Sequence, residues 1–432
     1  MGHELSSSRR PCRTLAQGAI ALPGQIGIEA PEKTLYHIAV MKGLDDSIGR
    51  FLDGLDQAGR KRGLRPAEPM PAGRIRMGGR ELINFSSNDY LGLSRNPVVV
   101  ERARRWLNEF GAGVGASRLV TGHLAALEAL EAKIARAKQT EAALVLASGW
   151  QCNASVLPAL LDKALWGAEP LVFADKLIHA SLHTGLELSD ARRYRYRHDD
   201  LDHLESLLKA HSDKTGPRFI VTETVFSMDG DVTDMAALAE LAKRWDAFLY
   251  VDEAHATGIM GPQGFGLSPG MGADLAMGTF SKGMGSFGAY VACSAQLRSY
   301  LINRASGLIY ATGLPPAVLG AMDAALDLVP SLEGERARLH LMARRLRDGL
   351  RAAGLDCGAS ASQIVPLILG DEHRTLAVAK ALEARGILGI AIRPPTVPTG
   401  TSRIRFALSA VHSNADMERL LAAILDAVET TR

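Results

Sequence analysis

The chain has 432 residues, of which 47% are hydrophobic and 22% charged, an ordinary composition for a folded protein with room for more than one core. A formal net charge of +2, with no basic run interleaved with aromatics, argues against nucleic acid as the main partner. Four cysteines (Cys12, Cys152, Cys293 and Cys357) lack CxxC spacing, so neither a zinc site nor a disulfide framework is indicated, and the pattern suits a cytoplasmic protein.

Residues 1–40 differ in character from the rest of the chain. Arg9, Arg10 and Arg13 precede Ala19–Leu22, an apolar patch too short for a signal-peptide core. An Arg-rich targeting segment is one reading; a disordered tail, or a translation start at Met41, is favoured. No run approaches ~20 uninterrupted apolar residues, so no membrane span is expected. Residues 41–90 read as an N-terminal helix and arm. Helical spacing covers 45–65, with Ile48, Phe51, Leu52 and Leu55 on one face and Arg60, Lys61, Arg62 and Arg65 beyond.

Asn84–Leu93 is rich in turn residues. Gly111, Gly113 and Gly115 permit close backbone approach before a helix expected from about His123 to Ala137, where alanine and glutamate favour helix. Strand-like runs at 143–147, 171–174, 218–222, 247–251, 275–280 and 288–293 then alternate with helices. Such alternation implies an α/β fold with a largely parallel sheet covered on both faces. Helix-like segments at 317–353 and 374–385, with short apolar runs at 364–369 and 404–408, predict a smaller C-terminal domain. The division expected is 91–316 for a large domain and 317–432 for the small one.

Chemistry concentrates just beyond strand ends, where open α/β sheets bind ligands. The run Leu249-Tyr250-Val251 ends in Asp252-Glu253-Ala254-His255, and a lysine follows at Thr279-Phe280-Ser281-Lys282-Gly283. Singly these are a surface lysine, a helix cap and a core histidine. Together they suit an electron-sink cofactor. Pyridoxal phosphate needs a lysine amine for its imine, a carboxylate for its ring nitrogen and a helix N-terminus for its phosphate. Lys282 and Asp252 fit the first two. Leu144–Gln151, an apolar run meeting Ser148-Gly149 and a helix-like stretch from Asn153 to Leu161, fits the third through the Gly149 and Trp150 amides.

Two other patterns mislead. Gly283–Gly288 satisfies GxGxxG, but a strand-like run follows it and no acid appears before Asp323, so it is no dinucleotide fingerprint. His179 and His183 form HxxxH without a third ligand, so no metal is expected.

The segments NFSSNDYLGL (84–93), GAGVGASRLVTG (111–122), FADKLIHASL (173–182), TETVFSMDGD (222–231), VDEAHATG (251–258), TFSKGMGSFGAYV (279–291) and IRPPTVPTGTSRIR (392–405) resemble the α-oxoamine synthases. These are fold-type I pyridoxal-phosphate transferases, and the match runs in the family's order from about Asp45 to the C-terminus. The resemblance implies a mostly parallel seven-stranded sheet in a large domain plus a smaller α+β C-terminal domain. It implies catalytic roles for Lys282, His179, Asp252 and His255, with His179 stacking on the cofactor ring. Ser227 and His255 would neighbour the cofactor's phenolic oxygen, and Thr279 would join the cofactor contacts. Tyr310–Pro316, including Thr312, would cross a homodimer interface to the neighbour's phosphate. Arg65, Asn88 and Thr396 match substrate-contacting positions. Arg393 and Arg405 both offer a planar fork for an amino-acid carboxylate. The family match favours Arg393, and the choice stays open.

The implied reaction is decarboxylative condensation of an amino acid with an acyl thioester, with the freed Lys282 amine as general base. Within the family, IRPPTVP and the segment Ser360–Leu367 favour L-alanine with a pimeloyl thioester, on coenzyme A or acyl carrier protein. Members resembling 5-aminolevulinate synthase, 2-amino-3-ketobutyrate ligase or serine palmitoyltransferase are the alternatives.

Overall fold

A computed structural model describes residues 32–431, and side chains from residue 43 onward. The described chain divides into two compact units, one ending at Gln57 and one running from Ala58. The first holds helix α1 (Glu32–Gln57), which starts within the stretch expected to be a tail and stops short of the basic cluster expected on it. Residues 1–31, and with them most of the expected tail, lie outside the described residues. The apolar side chains Ile48, Phe51 and Leu52 of α1 are exposed. Gly59 adopts a φ of 63°, a left-handed conformation that does not propagate a helix, and Arg60–Arg65 lie outside helix and strand.

The second unit is built on three sheets. Strands β1 (Ala67–Met70), β2 (Arg74–Met77) and β3 (Arg80–Asn84) form a meander that takes a short parallel strand, β12 (Ile387–Leu388), on its edge. The central sheet has seven strands: β4 (Ala142–Leu146), β5 (Leu171–Asp175), β6 (Arg192–Tyr196), β7 (Arg218–Glu223), β8 (Ala247–Asp252), β9 (Leu275–Thr279) and β10 (Ala289–Cys293). Their order is β4-β10-β9-β8-β7-β5-β6. Only β10 runs antiparallel to its neighbours β9 and β4, so the sheet is mostly parallel. The third sheet, β11 (Ile364–Gly370), β14 (Ser402–Ala407) and β13 (Ile390–Ile392), is antiparallel.

Burial on both faces explains the uniformly apolar central strands. Leu249 and Val251 of β8 face one core with Phe173, Ile220, Leu238 and Leu241. Tyr250, between them, faces the other with Phe219, Val221, Val156 and Leu157. The edge strand β6, Arg-Arg-Tyr-Arg-Tyr, is half exposed, and its arginines disfavour pairing with a further strand.

Helices α2 (Pro97–Phe110) and α3 (Ala125–Lys138) precede the sheet. Helix α4 (Gly149–Leu160) follows β4 directly, and α5 (Lys163–Trp166) and α6 (Ala180–Glu187) flank β5. The segment expected as one helix from 317 to 353 is two, Pro316–Leu328 and Glu333–Ala352, broken by a tight turn at Val329–Ser331 that contains Pro330. The Ser227–Asp231 loop is bound to the segment leading into β11: Gly230 has a φ of 71°, its carbonyl accepts from the Ala361 and Ser362 amides, and a Cβ there would collide with the Ile364 carbonyl. No described helix is long and apolar enough to cross a membrane.

Candidate active site

Four parallel strands end in the polar residues that make the site. Strand β5 ends at Asp175 and leads to His179, β7 ends at Glu223, β8 at Asp252 and β9 at Thr279. The β7–β8 register sets Glu223 directly beside Asp252.

Asp252 is buried, with a donor on each oxygen: the Ala254 amide on Oδ1 (2.9 Å) and Asn153 Nδ2 on Oδ2 (2.9 Å). Asn153 comes from α4. Its Oδ1 accepts from the Tyr250 hydroxyl at 2.7 Å, and its amide also reaches Ser181 Oγ at 2.9 Å. That hydroxyl lies 2.7 Å from His179 Nδ1, so one asparagine links the Asp252 carboxylate to the His179 ring.

Lys282 Nζ lies 2.8 Å from His255 Nε2. Burial holds the Lys282 amine down to about 8; Asp252 and Glu223 oppose that fall, and Arg405 adds to it. Burial also pushes the His255 pKa well below its ordinary value, helped by the Lys282 and Arg405 cations. His179 is lowered by burial against the pull of Asp252. Glu223 goes the other way: burial, then the neighbouring Asp252, raise it well above a normal carboxyl, and its Oε1 has no hydrogen-bond partner.

His255 Nδ1 faces the buried Tyr90 hydroxyl at 2.6 Å, and the His255 carbonyl accepts from Gln363 Nε2 at 2.9 Å. Arg405 closes this side. Its Nε donates to the Ser227 carbonyl at 2.5 Å, Nη1 to Asn88 Oδ1 at 3.1 Å, and Nη2 approaches Tyr90 at 3.4 Å. Thr279 donates to the Gly288 carbonyl at 2.8 Å, bracing the turn that carries Lys282.

The structure therefore draws Lys282, Asp252, His255, His179, Ser227, Asn88, Thr279 and Arg405 into one cluster. Arg393 sits to the side, donating to the Gly59 carbonyl, and Thr396 accepts from Arg62 at 3.0 Å. Arg65 is not drawn in. It is exposed and paired in a fork with Glu383 at 2.8 and 2.9 Å. Thr312 lies on a separate loop bridged to Ser117. Gly149 and Trp150 open α4, whose cap is Ser148, accepting from the Gln151 amide. His183 belongs to no metal cluster among the described residues.

Tyr90, Asn153, Glu223 and Gln363 were not singled out from the sequence. Asn153 and Glu223 had a signal, as polar residues inside apolar runs. Tyr90 and Gln363 act through contacts that sequence spacing does not encode.

This donor set fits pyridoxal phosphate: an amine of lowered proton affinity, a buried carboxylate on two donors, and a twelve-residue helix whose first amides face no helical partner. A Cβ at Gly149 would meet only the Met277 methyl at 3.7 Å, so the helix opening is not packed shut there.

The comparisons agree with that reading. The pattern of the family described as aminotransferase class I and II matches residues 80–424. A Paramagnetospirillum magneticum protein provisionally named 8-amino-7-oxononanoate synthase is 89% identical over 391 residues, which are 90% of this chain and 100% of that one. The 8-amino-7-oxononanoate synthase of Gluconacetobacter diazotrophicus is 56% identical, over 87% of this chain and 95% of its own. Among solved structures, serine palmitoyltransferase from S. paucimobilis, carrying pyridoxal phosphate joined to myriocin, is similar with a TM-score of 0.83 at 26% identity, covering 89% of this chain and 98% of that one. The 8-amino-7-oxononanoate synthase of Francisella tularensis is similar with a TM-score of 0.69 at 26% identity, covering 81% and 98%.

Proposed function

The chain belongs to the aminotransferase class I and II family, and from that premise we propose that it condenses L-alanine with a pimeloyl thioester, releasing the free thiol and carbon dioxide and forming 8-amino-7-oxononanoate for biotin synthesis. The observation that carries the proposal is the meeting of Lys282, His255 and the Asn153-held Asp252 at adjacent strand ends.

Pyridoxal phosphate, when bound through Lys282, supplies an electron sink for the charge left at the amino-acid Cα. Asp252 would hold the cofactor's ring nitrogen, His179 would lie against its ring, and Ser227 and His255 would serve its phenolic oxygen. The amides of Gly149 and Trp150, with Thr279 and the partner's Thr312, would hold its phosphate. Lys282 Nζ, with a pKa near 8, is neutral often enough at neutral pH to accept the Cα proton, and charged often enough to return it.

The substrate carboxylate goes to Arg393, with Thr396 and Asn88 as further substrate contacts. Arg405 is the weaker candidate because each of its nitrogens already faces Ser227, Asn88 or Tyr90. Arg65, exposed beside Glu383, meets the incoming thioester.

We take the working form to be a cytoplasmic homodimer. Leu119, Val120, Trp150 and Tyr310 are large apolar side chains exposed on the single chain, and Tyr310 opens the loop proposed to cross to the partner.

The similarity to serine palmitoyltransferase supports a second reading with serine and a longer acyl chain. One experiment separates the two: purified protein, with pyridoxal phosphate, is given alanine, glycine or serine with pimeloyl, acetyl, succinyl or palmitoyl thioesters, and products are weighed by mass spectrometry. Product from alanine and pimeloyl thioester alone is the expected outcome. Product only from another pair refutes the assignment, and none from any pair refutes the enzyme reading.

A further inference from the structure

Lys282 meets His255 through a ring nitrogen whose proton is not fixed by the histidine itself. A neutral imidazole carries one proton, on Nδ1 or Nε2, and whatever the other nitrogen bonds to decides which. Here Nδ1 faces the Tyr90 hydroxyl at 2.6 Å. We propose that Tyr90 is a positioning residue which, with Gln363, fixes the proton of His255 on Nε2 and so decides how that ring meets the Lys282 amine. The inference rests on the reading of Lys282 as the cofactor's attachment point.

Tyr90 is fully buried, and burial raises its phenol above the ordinary value, against the pull of Arg405, so it keeps its proton and has one to donate. Two acceptors lie in reach, His255 Nδ1 at 2.6 Å and Asn88 Oδ1 at 3.0 Å. Asn88 Oδ1 already accepts from Arg405 Nη1, and the histidine contact is the shorter. The phenol therefore donates to Nδ1, and the His255 proton sits on Nε2.

That N–H points at Lys282 Nζ, where it finds a partner only in the lone pair of the neutral amine. The opposite tautomer would present a bare Nε2, which pairs with the ammonium. Tyr90 thus biases Lys282 toward the form that can attack a carbonyl carbon. Gln363, wholly buried, donates to the His255 carbonyl at 2.9 Å and holds the main chain from which the ring hangs.

The other charged groups facing the pair come from neighbouring elements. Asp252 and Glu223 favour the ammonium, Arg405 disfavours it, and His179 faces His255. A Tyr90→Phe change removes one hydroxyl and leaves all four in place.

The test follows the attachment step itself. Full-length protein stripped of cofactor is mixed with pyridoxal phosphate, and the rate of imine formation is read by absorbance across pH, so that the midpoint of the profile reports Lys282. Tyr90→Phe should move the midpoint up by about one pH unit, the effect of losing one hydrogen bond of ordinary strength. Gln363→Met should move it in the same direction by less.

A rate lowered equally at every pH, with the midpoint unmoved, overturns the inference and makes Tyr90 merely structural. If Tyr90→Phe does not fold, the 15N spectrum of histidine-labelled wild-type protein decides, with His255→Gln identifying the signal. A protonated Nδ1 on His255 overturns the inference, and a bare Nδ1 supports it. Wild-type protein that forms no imine at any pH defeats the functional reading itself, whereas imine formation with an unmoved midpoint in Tyr90→Phe defeats only this inference.

Discussion

His198→Gln keeps the size of the side chain and a donor group but removes its charge. His198 follows β6 and reaches two carboxylates: Nδ1 lies 3.0 Å from Asp175 Oδ1, and Nε2 2.6 Å from Asp231 Oδ2. Asp175 ends the strand that leads to His179, and Asp231 closes the loop that carries Ser227, so one imidazolium clasps two segments that frame the site. Burial lowers the His198 pKa, but the bonds to Asp175 and Asp231 outweigh it and raise the group to about 10.

At 1.36 kcal/mol for each pH unit, a rise from 6.5 to about 10 has an upper bound of about 5 kcal/mol. The side chain is 24% exposed, so solvent screens part of this. We expect about 2–3 kcal/mol. Because the pKa is raised on folding, the contribution is complete below about pH 6.5, falls as pH climbs, and is gone above about pH 10.

The measurement is urea unfolding of wild-type protein and His198→Gln at pH 6, 8 and 10. The gap between the two should be widest at pH 6 and close toward pH 10. A gap that is flat with pH, or widens with it, would refute the charged clasp.

Three further outcomes are expected. Glu223→Gln replaces a buried carboxyl, whose proton affinity burial raises, with a neutral group of the same shape, so kcat/KM should stay within about threefold, under 1 kcal/mol; a hundredfold loss in steady-state kinetics would show that its charge is used. Lys138→Met strips the cation from Glu253, buried with it and left with only the Leu267 and Ser268 amides and the Ser268 hydroxyl, and should cost about 3–5 kcal/mol in urea unfolding, partly restored by adding Glu253→Gln. Arg393→Met should raise KM for the amino acid about 10- to 100-fold with kcat less changed, since a charge-assisted bond is worth about 1.5–3 kcal/mol; an unchanged KM would move the carboxylate to Arg405.

What the sequence revealed and what it hid divide along physical lines. Asp252 at one strand end and Lys282 just past another were legible because a buried parallel strand is an unbroken apolar run, and a charged residue at or beyond its end is conspicuous. The same rule hid β6, whose Arg-Arg-Tyr-Arg-Tyr is an edge strand without such a run. It also carried the helix at 45–65 too far, because the apolar spacing says nothing about the left-handed Gly59 that follows α1. Arg65 stood near a motif, yet Glu383, more than three hundred positions away, claims its guanidinium. Tyr90, Gln363 and His198 share that difficulty: each matters through polar contacts across the fold.

Those contacts settle how the site can hold two acids beside one amine. Glu223 and Asp252 are neighbours in register on adjacent strands, and two adjacent buried anions would be costly. The structure resolves the conflict by unequal provision of donors. Asp252 has one on each oxygen, through Ala254 and Asn153, an arrangement that suits a carboxylate. Glu223 has an oxygen with none, and burial raises its proton affinity well above that of a normal carboxyl. Asp252 acts on Lys282, where full pairing would hold the amine protonated. Burial, Arg405 and the Nε2–H of His255 work against that, and the balance near pH 8 lets one nitrogen both take and return a proton. Removing Asn153 should therefore disturb more than Asp252's position, because it takes away the donor that makes the two acids unequal.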